Sequence, residues 1–145
     1  MMKHNCPKRL RKRSKNPIPV LKNKVWRVFS KYIRLRDKYT CFTCGKVERP
    51  GQAGHRYHGR LDYDPINVNC QCPRCNKWLH GNLGEYERRL VEKYGQDVAD
   101  ELHLRANKSW KPSRQELEEL LIYWSEQLKV LENRSITVCD KFEKE

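Results

Sequence analysis

At 145 residues, with 37% hydrophobic side chains, a mean hydropathy of −0.99 and a formal net charge of +13, the chain suits one compact domain with a modest core. It holds no apolar run long enough to cross a bilayer, and its basic start is not followed by an apolar block, which argues against a membrane span and a secretory signal. Seven cysteines, an odd number arranged around two Cys-x-x-Cys pairs, do not make a disulfide framework, so a reducing cytoplasm is the expected setting.

Taken in chain order, residues 1–23 read as a basic flexible arm, 24–135 as a single zinc-binding domain and 136–145 as a tail without periodicity. Residues 1–36 carry thirteen Lys and Arg and no acid, and the remaining 18 basic residues equal the 18 acidic ones, so the whole positive excess is N-terminal. Such an arm favours a polyanion, because neutralising phosphates releases condensed counterions. Arg9, Arg11, Lys12 and Arg13 are its expected DNA contacts, with a solubilising leader as the plainer alternative. The run Asn16-Pro17-Ile18-Pro19 is expected to break helix. From 25 to 36, Val25, Phe29, Tyr32, Ile33 and the stem of Arg36 recur at helical spacing, which predicts a basic amphipathic helix.

Short segments at 39–42 and 52–57 suit two β-strands, and a helix is expected to open near Cys72 or Pro73, where proline is tolerated in the first turn. Downstream, 83–94 has Tyr86, Leu90, Val91 and Tyr94 at helical spacing and ends at Gly95. A short helix from Gln96 to about Asn107 would bury Val98, Leu102 and Leu104. Ser113 and Glu116 form a capping box for a last helix, whose stripe of Leu117, Leu120, Leu121, Trp124, Leu128 and Leu131 fits the core, with a homodimer seam as the alternative.

The metal-ligand spacing is the strongest local signal. Cys41-x-x-Cys44 and Cys72-x-x-Cys75, with 27 residues between the pairs, predict a closed, four-thiolate structural zinc site. Cys70 lies close enough to compete with Cys72. Between the pairs stands His55, an imidazole able to take a proton near neutral pH.

An ordered series of motifs then carries a resemblance. Residues 29–37, Cys41-x-x-Cys44-Gly45-Lys46, Gln52-Ala53-Gly54-His55, Asn67-Val68-x-x-Gln71-Cys72-x-x-Cys75-Asn76 and Gly81-Asn82-x-x-Glu85-Tyr86 resemble the phage NinG (Rap) recombination proteins over roughly residues 25–131. Those proteins are similar to HNH, or His-Me finger, nucleases. The resemblance implies an α+β fold with a small zinc-stapled ββα-metal (HNH-like) core and added N- and C-terminal helices. It also implies a metal-dependent endonuclease acting on branched DNA such as Holliday junctions and D-loops.

On that pattern the HNH positions fall on His55, Asn67 and Asn76. His55 is the expected general base, Asn67 a group that fixes it, and Asn76 a ligand to a catalytic Mg²⁺ or Mn²⁺. Gly54 stands where many HNH enzymes place a metal ligand, which leaves the second ligand open among His58, Asp62, Asp64 and His80. Arg56, Arg60, Arg74 and Lys77 are candidate phosphate clamps, since guanidinium forks match phosphate oxygens. Trp78, if exposed, could stack on a splayed base. A non-catalytic zinc module that binds DNA junctions is the alternative function.

Overall fold

A computed structural model describes the backbone of residues 17–142 and the side chains through residue 135. The arm residues Arg9, Arg11, Lys12 and Arg13 lie outside the described residues.

The first helix, α1 (Ile18–Arg36), begins earlier than expected. Pro17 is its N-cap and a second proline falls in the first turn, where the missing N–H has no intrahelical partner to lose, so these prolines start the helix instead of breaking it. Leu21, Val25, Phe29 and Ile33 are its buried face. Arg36, read from sequence for its aliphatic stem, is mostly enclosed. Its guanidinium pairs with Asp37 at 2.7 Å and donates to Pro65 O, Val68 O and Asn69 Oδ1. Burial opposes its charge, but the Asp37 carboxylate outweighs that and raises its pKa.

The expected strand at 39–42 is absent as a strand; Thr40 makes only an isolated bridge to Val47, because the chain there turns tightly through Cys41–Lys46. The two strands are β1 (Gln52–His55) and β2 (Val68–Gln71), antiparallel with His55 opposite Val68 and Gln52 opposite Gln71. Side chains alternate across a strand, so Ala53, His55, Val68 and Cys70 share one face and Gln52, Gly54, Asn69 and Gln71 the other. Ala53 and Val68 pack against α1 and the last helix in a core that includes Phe29, Leu117 and Trp124.

The opposite, polar face is also covered. Asn69 Nδ2 donates to the Tyr86 hydroxyl at 3.0 Å and Gln71 Nε2 to Gly81 O at 2.8 Å, and both side chains are fully buried. A buried polar group is tolerated when its partners are inside with it.

After β2 the chain makes one wide π-type turn, Arg74–Trp78, closed by Leu79 N–H to Arg74 O. Then follow α2 (Leu83–Tyr94), α3 (Gln96–Ala106) and α4 (Arg114–Phe142). Together with Leu61, Tyr86 and Leu90 of α2 and Leu102 of α3 form a second core. Leu104, expected inside, is exposed and Ala99 is buried in α3 instead. The capping box forms as read, with Glu116 N–H to Ser113 Oγ and Ser113 N–H to the Glu116 carboxylate. The leucine stripe of α4 lies on α1, where Trp124 meets Phe29 and Tyr32, so that surface is occupied within the chain. The expected terminal tail is helical through Phe142. No helix among the described residues is long and apolar enough to cross a membrane.

Candidate functional site

The four cysteines of the two pairs converge. Cys41 and Cys44 sit on the knuckle, where Gly45 takes a positive φ and its N–H closes on Cys41 O. Cys72 follows β2 and Cys75 lies in the π-turn. Their sulfurs all fall within 4.8 Å of one another, and Cys44 Sγ is 3.7 Å from Cys72 Sγ. Four thiolates around zinc at a bond length of about 2.3 Å stand about 3.8 Å apart, so the donor set fits a tetrahedral structural zinc. Cys75 N–H approaches Cys72 Sγ and Asn82 Nδ2 approaches Cys75 Sγ, contacts that suit anionic sulfur. Cys70 is separate: it lies on β2, buried, with its sulfur against Gly51.

The second cluster lies in a cleft on the α1 side of the hairpin. His55, the last residue of β1, stacks on Trp26 of α1 with ring centroids 4.8 Å apart and planes 16° from parallel. His58 and Asp62 reach it from the connection between the strands, and donor atoms of all three lie within 4.8 Å of one another. Lys22, Asn23 and Tyr63 complete the walls of a cavity of about 240 Å³.

His55 Nε2 is buried without a hydrogen-bond partner, 3.6 Å from Asp62 Oδ1. Burial depresses the His55 pKa below 6.5; Asp62 pulls it up and His58 pushes it down. The imidazole is therefore neutral at pH 7, with one ring nitrogen free to accept a proton.

A loop this long is usually mobile, yet this one is anchored at several points. Asn67 is fully buried and does not touch the His55 ring. Its Oδ1 accepts from Tyr57 N–H at 2.9 Å, and its Nδ2 donates to Tyr57 O and Leu61 O at 2.7 and 2.9 Å. Leu61 is buried in the second core. The turn at 59–62 closes through Gly59 N–H to Asp62 Oδ1 and Asp62 N–H to Gly59 O. Asn67 therefore positions the loop that carries His58 and Asp62.

Asn76 is not brought to the cleft. Its Nδ2 donates to Gln52 Oε1 at 2.8 Å, and its Oδ1 lies over Gly54, on the sheet face away from His55. Gly54 is required there because a Cβ would overlap the Gln71 side-chain amide. Of the other candidate ligands, Asp64 binds Arg105 and the Ile66 N–H, while His80 is exposed beyond the π-turn.

Among the basic candidates, Arg56 is engaged with Glu87 at 2.7 Å and lies over the Tyr57 ring. Arg60, on the loop of the cleft, is exposed. Arg74 and Lys77 are exposed on the π-turn beside Trp78, which is 80% exposed. Sequence reasoning missed Trp26 as the wall behind His55, and Tyr86, whose hydroxyl contacts Gly54 O, Asn67 O and Asn69 Nδ2. A tyrosine on an otherwise apolar helical face, opposite an Asn-rich strand, is the signal that points to such a bridge.

Comparison with known proteins adds the family. The profile described as Bacteriophage Lambda NinG protein matches residues 2–134. This chain belongs to the NinG family. It is 32% identical over 83 residues to "Protein ninG" of Escherichia phage 933W and 31% identical over 83 residues to that of Escherichia phage lambda, each match covering 53% of this chain and 41% of the relative. To "Protein ninG" of Salmonella phage P22 it is 34% identical over 77 residues, 49% of this chain and 38% of the relative. The matches thus span about two fifths of these NinG proteins. No solved structure matches the chain.

Proposed function

We propose that this NinG-family protein is a metal-dependent DNA endonuclease of the HNH, or His-Me finger, type that cleaves branched recombination intermediates such as Holliday junctions and D-loops during phage recombination. The observation that carries this reading is a neutral imidazole, His55, held with an unpartnered Nε2 in a cleft that also presents Lys22, His58 and Asp62. His55 accepts the proton of the attacking water, a role that suits a pKa at or below the working pH. Lys22 places positive charge on the cleft wall, where a phosphate oxygen gains most from it. Asn67 is a positioning residue that keeps the loop in register with His55.

Held by His58 and Asp62 in the cleft, Mg²⁺ or Mn²⁺ would supply Lewis-acid stabilisation of the phosphate and the leaving oxygen. Zinc held by Cys41, Cys44, Cys72 and Cys75 would be closed by four thiolates and would support the fold only. Asn76, on the other sheet face, braces Gln52 and has no ligand role in this mechanism.

The DNA surface in this reading comprises the N-terminal arm, Arg60 at the cleft, and Arg74, Lys77 and Trp78 at the π-turn. Base stacking on an exposed tryptophan is open to splayed strands and closed to intact duplex, which favours branched substrates. The site of action is the host cytoplasm, on DNA.

His55→Ala tests the reading. With Mn²⁺ or Mg²⁺ and a labelled four-way junction, cleavage should fall by at least about a hundredfold while junction affinity is retained. A wild-type protein that binds junctions but nicks none of them under either metal would show a binding module instead.

A further inference from the structure

We propose that His58 and Asp62 hold the divalent cation of the cleft, and that His55 faces it unliganded as the proton acceptor. The proposal deepens the nuclease reading and relocates the cation relative to the position that Asn76 suggests.

Three observations carry it. His58 and Asp62 project from one short loop segment toward the same cavity, with donor atoms within 4.8 Å of each other and of His55. The loop is preformed: Asn67 binds both Tyr57 and Leu61, and the Gly59–Asp62 turn fixes the carboxylate before any cation arrives. Preorganised donors avoid the ordering cost that otherwise weakens binding. Finally, a buried ring nitrogen with no partner lies 3.6 Å from a carboxylate oxygen, too long for a hydrogen bond between them.

The three residues differ in a way that separates their roles. His55 packs against the rings of Trp26 and His58 with its side chain only 11% exposed, whereas Asp62 is 38% exposed and His58 is exposed. Mg²⁺ and Mn²⁺ retain several waters and accept few protein ligands, which suits the hydrated pair and not the enclosed ring. On the opposite sheet face, the Asn76 amide meets Gln52 and lies over Gly54, neither of which carries a charge to offset that of a cation.

The test uses the full chain, zinc-loaded, with Mn²⁺ alone as probe and no DNA, followed by electron paramagnetic resonance. Wild type should bind one Mn²⁺ beyond the zinc, with spin-echo modulation from one imidazole nitrogen. His58→Ala should remove that modulation, and His58→Ala and Asp62→Asn should each weaken Mn²⁺ at least about tenfold. Asp62→Asn retains an acceptor for Gly59 N–H, so the turn survives, and unchanged zinc content and thermal unfolding confirm the fold. His55→Ala should weaken Mn²⁺ clearly less than either of those changes does, and Asn76→Ala should leave its affinity unchanged. Modulation from two imidazoles, loss of Mn²⁺ in His55→Ala, or loss in Asn76→Ala with His58→Ala unaffected would each overturn the assignment. Because cleavage is not the readout, Mn²⁺ held by this pair in a protein that cuts no DNA would sink the nuclease reading alone.

Discussion

Gly54→Ala is a small change with a large expected cost. A Cβ there would overlap Gln71 Oε1, sit 2.8 Å from Gln71 Cδ and lie 3.0 Å from Asn76 Oδ1. Gln71 cannot swing aside freely: it is fully buried, and its Nε2 donates to Thr43 Oγ1 at 3.2 Å and Gly81 O at 2.8 Å. Overpacking costs about 1–3 kcal/mol, and turning the amide away from its acceptors adds about 1–3 kcal/mol. The sum, about 2–6 kcal/mol, corresponds to a fall in Tm of about 7–20 °C for a domain of this size. Urea and thermal unfolding of the zinc-loaded protein measure it. Gln71→Ala removes the obstructing amide, so Gly54→Ala made in that background should cost about 1 kcal/mol or less. Effects that add to within about 0.5 kcal/mol would refute the clash as the cause.

Stripping the zinc should unfold the domain, since four-thiolate sites contribute about 10 kcal/mol or more of folding energy, comparable with the stability of a whole domain. Circular dichroism during chelation checks this, and Cys70→Ser should keep one zinc per chain while Cys72→Ser loses it. The pH dependence follows from His55. Its folded pKa is depressed below 6.5, so the unfolded chain takes up a proton first, and stability should decline as pH falls from about 6.5 through the folded value and then level off. Urea midpoints between pH 5 and 7 should fall more for wild type than for His55→Gln, and the acidic limb of cleavage should lie below pH 6.5. Equal midpoint changes in both proteins would detach that pH dependence from His55.

The elements most legible in the sequence are those governed by local periodicity and caps. α2 ends at Gly95 and α4 opens at the Ser113–Glu116 box because these signals act over a few residues. The start of α1 was obscured because proline stops a helix in its interior and begins one in its first turn, and composition alone does not distinguish the two. The strand expected at 39–42 shows a different limit. β-propensity marks a segment that suits a pleated surface without naming its partner, and here the turn bearing Cys41 and Cys44 takes that segment while Val68–Gln71 pairs with β1.

Cysteine spacing by itself picked out the four thiols that converge, because two residues between thiols set the bite of each pair and four soft donors suit a tetrahedral metal. The family resemblance, not the spacing, singled out His55 from the two histidines between the pairs. Only the tertiary structure decided what surrounds that ring. Strand register placed His55 on the face toward Trp26 and Gly54 on the face that Asn76 covers, and a buried asparagine at 67 folded the intervening loop so that His58 and Asp62 meet His55. The physical reason is that pleat alternation and loop closure depend on contacts between residues far apart in the chain, where local spacing carries no information.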